Sequence, residues 1–177
     1  GWVCATPKGK RLVRAAGPCS GRESSLRSES AGMLSMSLFI GLLFRYIYQS
    51  SAFIKFLADN IQLIRRMREH QGYEHPYANV TLGPEFDLSE QIFETHREYN
   101  IRAIFEHIKG HQDRAKKIED LPLESQLNVE ADKLAGNYRQ EHGQFLPETP
   151  LVPACPAVIS IRNVSLTNDY KKQLIRA

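Results

Sequence analysis

Four side chains of this sequence, Glu29, Asp59, His111 and Asp132, are of the types that hold hard cations or move protons. The most informative stretch runs from Arg102 to Gly136. An apolar, strand-like run with Ala103, Ile104, Phe105 and Ile108 ends in Gly110-His111, and a charged loop then leads to an amphipathic helix carrying Asp132 among small residues. Leu127, Ala131, Leu134, Ala135 and Tyr138 recur at helical spacing and are expected to face the core. That leaves Asn128, Asp132 and Gly136 one above another on a neighbouring face, aimed at the edge of a sheet. Asp59 follows a compact apolar run, Ala52 to Ala58, and stands at a strand end of the kind where α/β sheets build their sites. It or Asn60 can equally cap the helix that follows. Glu29 lies in the first turns of a long apolar helix, where a carboxylate can serve simply to complement the macrodipole.

The elements that must position these groups follow in order along the chain. Gly1 to Ala5 and Arg11 to Ala16, separated by the turn-type cluster Pro7-Lys8-Gly9-Lys10, predict an antiparallel hairpin. Gly17-Pro18 and Gly21 end it, and Ser24 or Ser25 is expected to cap a long helix whose Met33, Met36, Leu38, Ile40, Leu43 and Phe44 make more than one apolar stripe, predicting a largely buried helix. After the Ala52 to Ala58 strand comes a second amphipathic helix with Leu63, Ile64 and Met67. Gly72, Pro76, Gly83 and Pro84 mark loop, and Asp87 to Tyr99 predicts another helix leading into the strand before His111. The expected order is strand, strand, helix, strand, helix, helix, strand, helix. Past His142 the prolines at 147, 150, 153 and 156 predict a linker over 143–156, and 157–177 an extension with a strand at Ala157 to Ile161 and a basic helix at Asn168 to Arg176.

The totals set bounds. A chain of 177 residues with 24% charged and 42% hydrophobic residues is long enough for one domain with a real core, and its composition argues against disorder. The net charge of +3 is compatible with a nucleic-acid partner without calling for one. Three cysteines without metal-ligand spacing point to a reduced, intracellular setting, cytoplasm or nucleus. The uncharged stretch Ser30 to Phe44 falls short of the ~20 residues of a membrane span, so no membrane association is expected.

Two motifs carry a resemblance. Ile108-Lys109-Gly110-His111, followed by Asn128-Val129-Glu130-Ala131-Asp132-Lys133-Leu134-Ala135, resembles the end of a type 1 ribonuclease H domain of the retroelement, reverse-transcriptase-associated kind, which closes on a lysine-glycine-histidine loop and a helix of pattern N-x-x-x-D-x-L-A. Arg27-Ser28-Glu29 after a hairpin is similar to that family's R-x-E segment. The resemblance spans about residues 1–142 and implies a ribonuclease H-like mixed sheet flanked by helices, with the first strand and its aspartate missing from this chain. It implies Glu29, Asp59 and Asp132 as metal ligands for two Mg²⁺ ions, or Mn²⁺ in their place, with His111 in the mobile loop that assists water activation or product release. Asn60 is expected to cap its helix, and Arg27, Asn60 and Asn128 are the candidates for substrate contact. The implied substrate is the RNA strand of an RNA/DNA hybrid, the implied setting a retroelement polyprotein with a reverse transcriptase as partner, and this chain alone is expected to be inactive or very weak. The alternatives are a catalytically inactive ribonuclease H-like module that binds a hybrid or supports its neighbour, and a different nuclease or recombinase on the same fold.

Overall fold

The computed structural model describes residues 1–21, 24–71 and 83–142, together with the backbone of 159–161 and 164–166. Strands β1 (Trp2–Ala5) and β2 (Arg11–Ala15) pair antiparallel, with Trp2 opposite Ala15. The turn between them closes through the Gly9 amide on the Thr6 carbonyl at 2.8 Å, at a glycine whose φ of 86° suits no side chain well. Helix α1 (Ser25–Leu43) starts where Ser24 Oγ accepts the Arg27 amide at 2.9 Å, and it runs on into a π-helical turn over Phe44–Tyr48 that ends at Gln49 in the left-handed region. Strand β3 (Ala52–Ala58) leads through Asn60, whose side chain accepts the Gln62 and Leu63 amides, into α2 (Ile61–His70). Helix α3 (Phe86–Glu98), strand β4 (Ile101–His107) and helix α4 (Leu123–His142) follow.

β4 lies parallel to β3 in an unbroken register from Ala52 opposite Ile101 to Ala58 opposite His107. Alternation along both strands puts Ala52 and Phe56 with Ile101, Ala103 and Phe105 on one side, and there Met33, Leu63, Ile64, Met67, Ile92 and Phe93 from α1, α2 and α3 cover them. The hairpin is held to its helices by side chains: the Trp2 indole donates to Ser35 Oγ at 3.1 Å and packs on Phe39, and Arg11 pairs with Glu130 of α4 at 3.0 Å. The molecule is thus a mixed α/β structure.

Four expectations change. The single mixed sheet is absent among the described residues: β1–β2 and β3–β4 are separate two-stranded ladders with no pairing between them, and β5 (Ile159–Ile161) pairs antiparallel with β6 (Val164–Leu166) as a third. The strand expected from Ala157 therefore begins, as described, at Ile159 and has a partner of its own; the linker and the basic helix lie outside the described residues. Helix α1 is less buried than its composition predicts, since Leu38, Phe39 and Leu42 stay exposed and Tyr46, Ile47 and Tyr48 project beyond the core. Together with its π-helical turn it forms 24 residues of mean hydropathy up to 1.5, long and apolar enough to cross a membrane by length and composition alone, where the sequence marked out only a shorter stretch.

The fourth change concerns α4. Its deeply buried side chains are Ser125 and Val129, whereas Leu127, Ala131, Leu134 and Tyr138 are half-buried and Ala135 is exposed. Ser125 and Val129, four apart, mark the most buried line of the helix, and Asp132, three further on, continues that line at an exposed position. The aliphatic stripe packs half-buried against the hairpin: the Gly1 backbone lies against Ala131, Leu134 and Ala135 so closely that a Cβ on Gly1 would fall 2.7 Å from the Ala131 carbonyl oxygen.

Candidate active site

Asp59 sits immediately beyond the β3–β4 ladder, which the Ile108 amide extends by bonding the Ala58 carbonyl at 3.0 Å. That extra rung carries the Lys109-Gly110-His111 loop past Asp59. The loop is fastened from its far side by Gln112, which donates to the Lys109 carbonyl at 2.8 Å and to Ser125 Oγ of α4 at 2.7 Å. Gly110 consequently lies against the Asp59 carboxylate: a Cβ there would collide with Oδ2 and stand 3.0 Å from Cγ. Asn128 of α4 donates to the same Oδ2 at 3.4 Å, and His107 Nε2 lies 3.2 Å from the Asp59 carbonyl oxygen. Gly110 was expected only as part of the Lys-Gly-His loop; its proximity to Asp59 depends on the β3–β4 pairing, which joins Ala52 to Ile101 and Ala58 to His107, and leaves no local signal.

Glu29 approaches from α1. Its Oε1 accepts from Ser25 Oγ at 2.9 Å and from Asn60 Nδ2 at 3.3 Å. Burial pushes its carboxyl above the ordinary range, the two hydrogen bonds oppose that rise, and the charge of Asp59 adds to it. Asp132 approaches from α4. The side chain keeps a solvent-exposed surface, yet the packing around its carboxylate raises its proton affinity, Asp59 and Asp113 raise it further, and the His111 ring pulls it down. Asp59 is the common neighbour, since its field reaches both other acids. His111 is exposed, at φ 53°, beside Asp132 rather than in the core.

The structure thus brings Glu29, Asp59, Asp132 and His111 to one end of the β3–β4 ladder. The carboxylate oxygens are the donors a hard divalent cation takes, and burial, with the charge of Asp59 added, raises the proton affinity of Glu29 and Asp132, an effect that a bound cation would oppose. The convergence stops short of a coordination sphere: among the described residues no three His, Cys, Asp or Glu side chains are gathered closely enough to hold an ion. Between α1 and α4 opens a cleft of about 780 Å³, lined by Ser28, Gly32 and Ser35 on one wall and Asp132 and Gly136 on the other.

The three candidates for substrate contact divide. Asn128 bonds Asp59 and Asn60 bonds Glu29, so both amides are engaged with the carboxylates themselves. Arg27 is turned the other way. Only 1% exposed, it bonds Glu85 at 2.6 Å, Asp87 at 3.1 Å and the Ser20 carbonyl at 2.5 Å, which removes it from any surface a phosphate could reach. Its place is a buried brace between α1 and the start of α3.

Compared with family models, curated proteins and solved structures, the chain matches none.

Gly110 gives a direct test of this geometry. Gly110→Ala is expected to push either the Asp59 carboxylate or the loop away by the overlap of Cβ with Oδ2, costing about 1–3 kcal/mol of stability as an overpacked contact does. Urea denaturation measures it, and Asp59→Ala in the same chain should relieve most of the cost. A Gly110→Ala protein as stable as the parent would mean the two do not touch.

Proposed function

We propose that this chain carries the greater part of a metal-dependent ribonuclease H-type endonuclease, of retroelement origin, that hydrolyses the RNA strand of RNA/DNA hybrids. The observation that supports the reading is Asp59: a strand-end acid whose charge is felt by one acid from α1 and one from α4, with the Lys-Gly-His loop folded against it. In this reading Glu29, Asp59 and Asp132 hold Mg²⁺ or Mn²⁺, which when bound supplies neutralisation of the phosphodiester and a more acidic water. Asn60 and Asn128 keep Glu29 and Asp59 oriented by donating to them, and His111 stands exposed beside Asp132, where an imidazole can take or give a proton. Recognition of the RNA strand rests on its 2′-hydroxyls, and the cleft between α1 and α4 opens directly onto Asp132. A reverse transcriptase of the same polyprotein is the natural neighbour in such a system.

A second reading, a catalytically inactive hybrid-binding or supporting module, is favoured by the unjoined ladders and by the incomplete gathering of the acids. The resemblance implies a further central strand carrying a fourth acid, an aspartate. The experiment is hybrid cleavage by the protein joined to an upstream strand carrying that aspartate, with Mg²⁺ and with EDTA. The nuclease reading expects Mg²⁺-dependent cutting of the hybrid's RNA, at least a hundredfold slower in Asp59→Asn. Binding of the hybrid with no cutting selects the second reading, and cutting that survives Asp59→Asn overturns the site.

A further inference from the structure

Asn60 does two things at once, and the second has no counterpart in a simple helix cap. Its Oδ1 accepts the Gln62 and Leu63 amides at 3.1 and 3.2 Å, which is the ordinary work of an N-cap. Its Nδ2 points the opposite way, donating at 3.3 Å to Glu29 Oε1 and at 3.3 Å to Ser25 Oγ, which itself donates to the same Glu29 oxygen. The two ends of the amide face different partners, so its orientation is fixed by hydrogen bonding: turned over, it would aim NH₂ at two backbone N–H groups and oxygen at a carboxylate. A serine, threonine or aspartate would cap α2 about as well. Of these only the amide carries its acceptor and its donor on two separate atoms, one for the cap and one for α1.

We infer that Asn60 is a positioning residue for Glu29, tying the α1 carboxylate to the same strand–helix junction that carries Asp59 and so fixing how these two acids face each other. The inference rests on the nuclease reading for what the pair then does, whereas the hydrogen-bonded geometry stands apart from it. The consequence follows from chemistry: a ligand oxygen already oriented by a neutral donor loses little freedom when a cation arrives, and removing such an outer partner commonly lowers metal affinity about 10- to 100-fold. The other lone pairs of Glu29 stay available, since both donors meet Oε1.

The test is a double-mutant cycle read by the electron paramagnetic resonance signal of free Mn²⁺, titrated into the whole chain. Asn60→Ser keeps a cap and removes Nδ2, the atom that reaches Glu29, so its melting temperature should stay within about 2 °C of the parent while its Mn²⁺ affinity falls about tenfold or more. In a Glu29→Ala background, the same Asn60→Ser change should alter Mn²⁺ affinity by less than about twofold, because the residue it positions is gone. Equal Mn²⁺ affinity in Asn60→Ser and parent overturns the assignment while leaving the nuclease reading intact. So does an equal loss in both backgrounds, which would place Asn60 on the cation or on the fold at large rather than on Glu29. A parent chain that binds no Mn²⁺ overturns the assignment as well, since Glu29 is then no ligand for Asn60 to position.

Discussion

Replacing Arg27 with alanine is expected to cost about 3–5 kcal/mol, the largest loss from any single change considered, because it removes the guanidinium that Glu85 and Asp87 both bond inside the protein. Both carboxylates are buried, and Glu85 adopts a left-handed backbone conformation, φ 52°, that a residue with a side chain takes only when its surroundings compel it. Ser24 donates to Glu85 at 3.1 Å while its oxygen also receives the Arg27 amide, so the start of α1 and the start of α3 share one polar cluster. The melting temperature should fall by on the order of 10 °C. A triple change that removes all three charges, Arg27→Met with Glu85→Gln and Asp87→Asn, should recover much of it, since the penalty lies in burying carboxylate charge rather than in losing attraction. An Arg27→Ala protein within about 1 kcal/mol of the parent in urea denaturation would show that the cluster does not form.

The second large effect is a loss of stability in acid. His96 lies between core rings, 5.5 Å from Phe56 and 6.1 Å from Phe105, with Ser37 Oγ 2.9 Å from its Nε2. Ser37 already donates to the Met33 carbonyl at 2.8 Å, so its oxygen is the acceptor and Nε2 carries the proton in the neutral ring. Burial lowers its pKa from 6.5 to about 4. The unfolded chain therefore takes up this proton before the folded one does. The contribution is whole above pH 6.5 and is lost as pH falls towards 4, to a limit of about 3 kcal/mol. Glu29 and Asp132, whose carboxyls are raised, act with opposite sign in acid, so the slope belongs to the difference between the parent and His96→Gln. Denaturation midpoints from pH 7.5 to 4.5 should converge for the two proteins as pH falls; parallel curves would mean His96 is not buried neutral.

How much of this could be read from the chain depended on how local each cause was. The β3 strand, the Asn60 cap and the Ser24 cap were legible because alternation and a short polar residue before an apolar run are local rules, and all three stand where the pattern put them. Ser25 and Glu29, four apart on one helix, could also have been paired from spacing. The inward face of α4 was legible only in part: the aliphatic stripe packs half-buried against the hairpin, whereas the deepest positions are Ser125 and Val129. The depth of α1 was misread for a related reason, since composition counts apolar residues without counting the surfaces available to bury them. The Arg27 cluster joins positions 58 and 60 residues apart, and Gly110 meets Asp59 across a parallel pairing; neither has any trace in sequence neighbours.

In the proposed nuclease, Glu29, Asp59 and Asp132 share divalent cations at the end of the β3–β4 ladder. Paramagnetic broadening tests it most directly: Mn²⁺ added in small steps to the ¹⁵N-labelled chain, with backbone amide signals followed residue by residue. The account predicts that the amides of Asp59, Asn60, Gly110 and Asp132 fade first and together, and that Asp59→Asn weakens the effect at all of them. Broadening that begins instead at another acidic stretch, such as Glu119-Asp120 or Glu94 to Glu98, or that leaves Asp59 and Asp132 sharp, would contradict it.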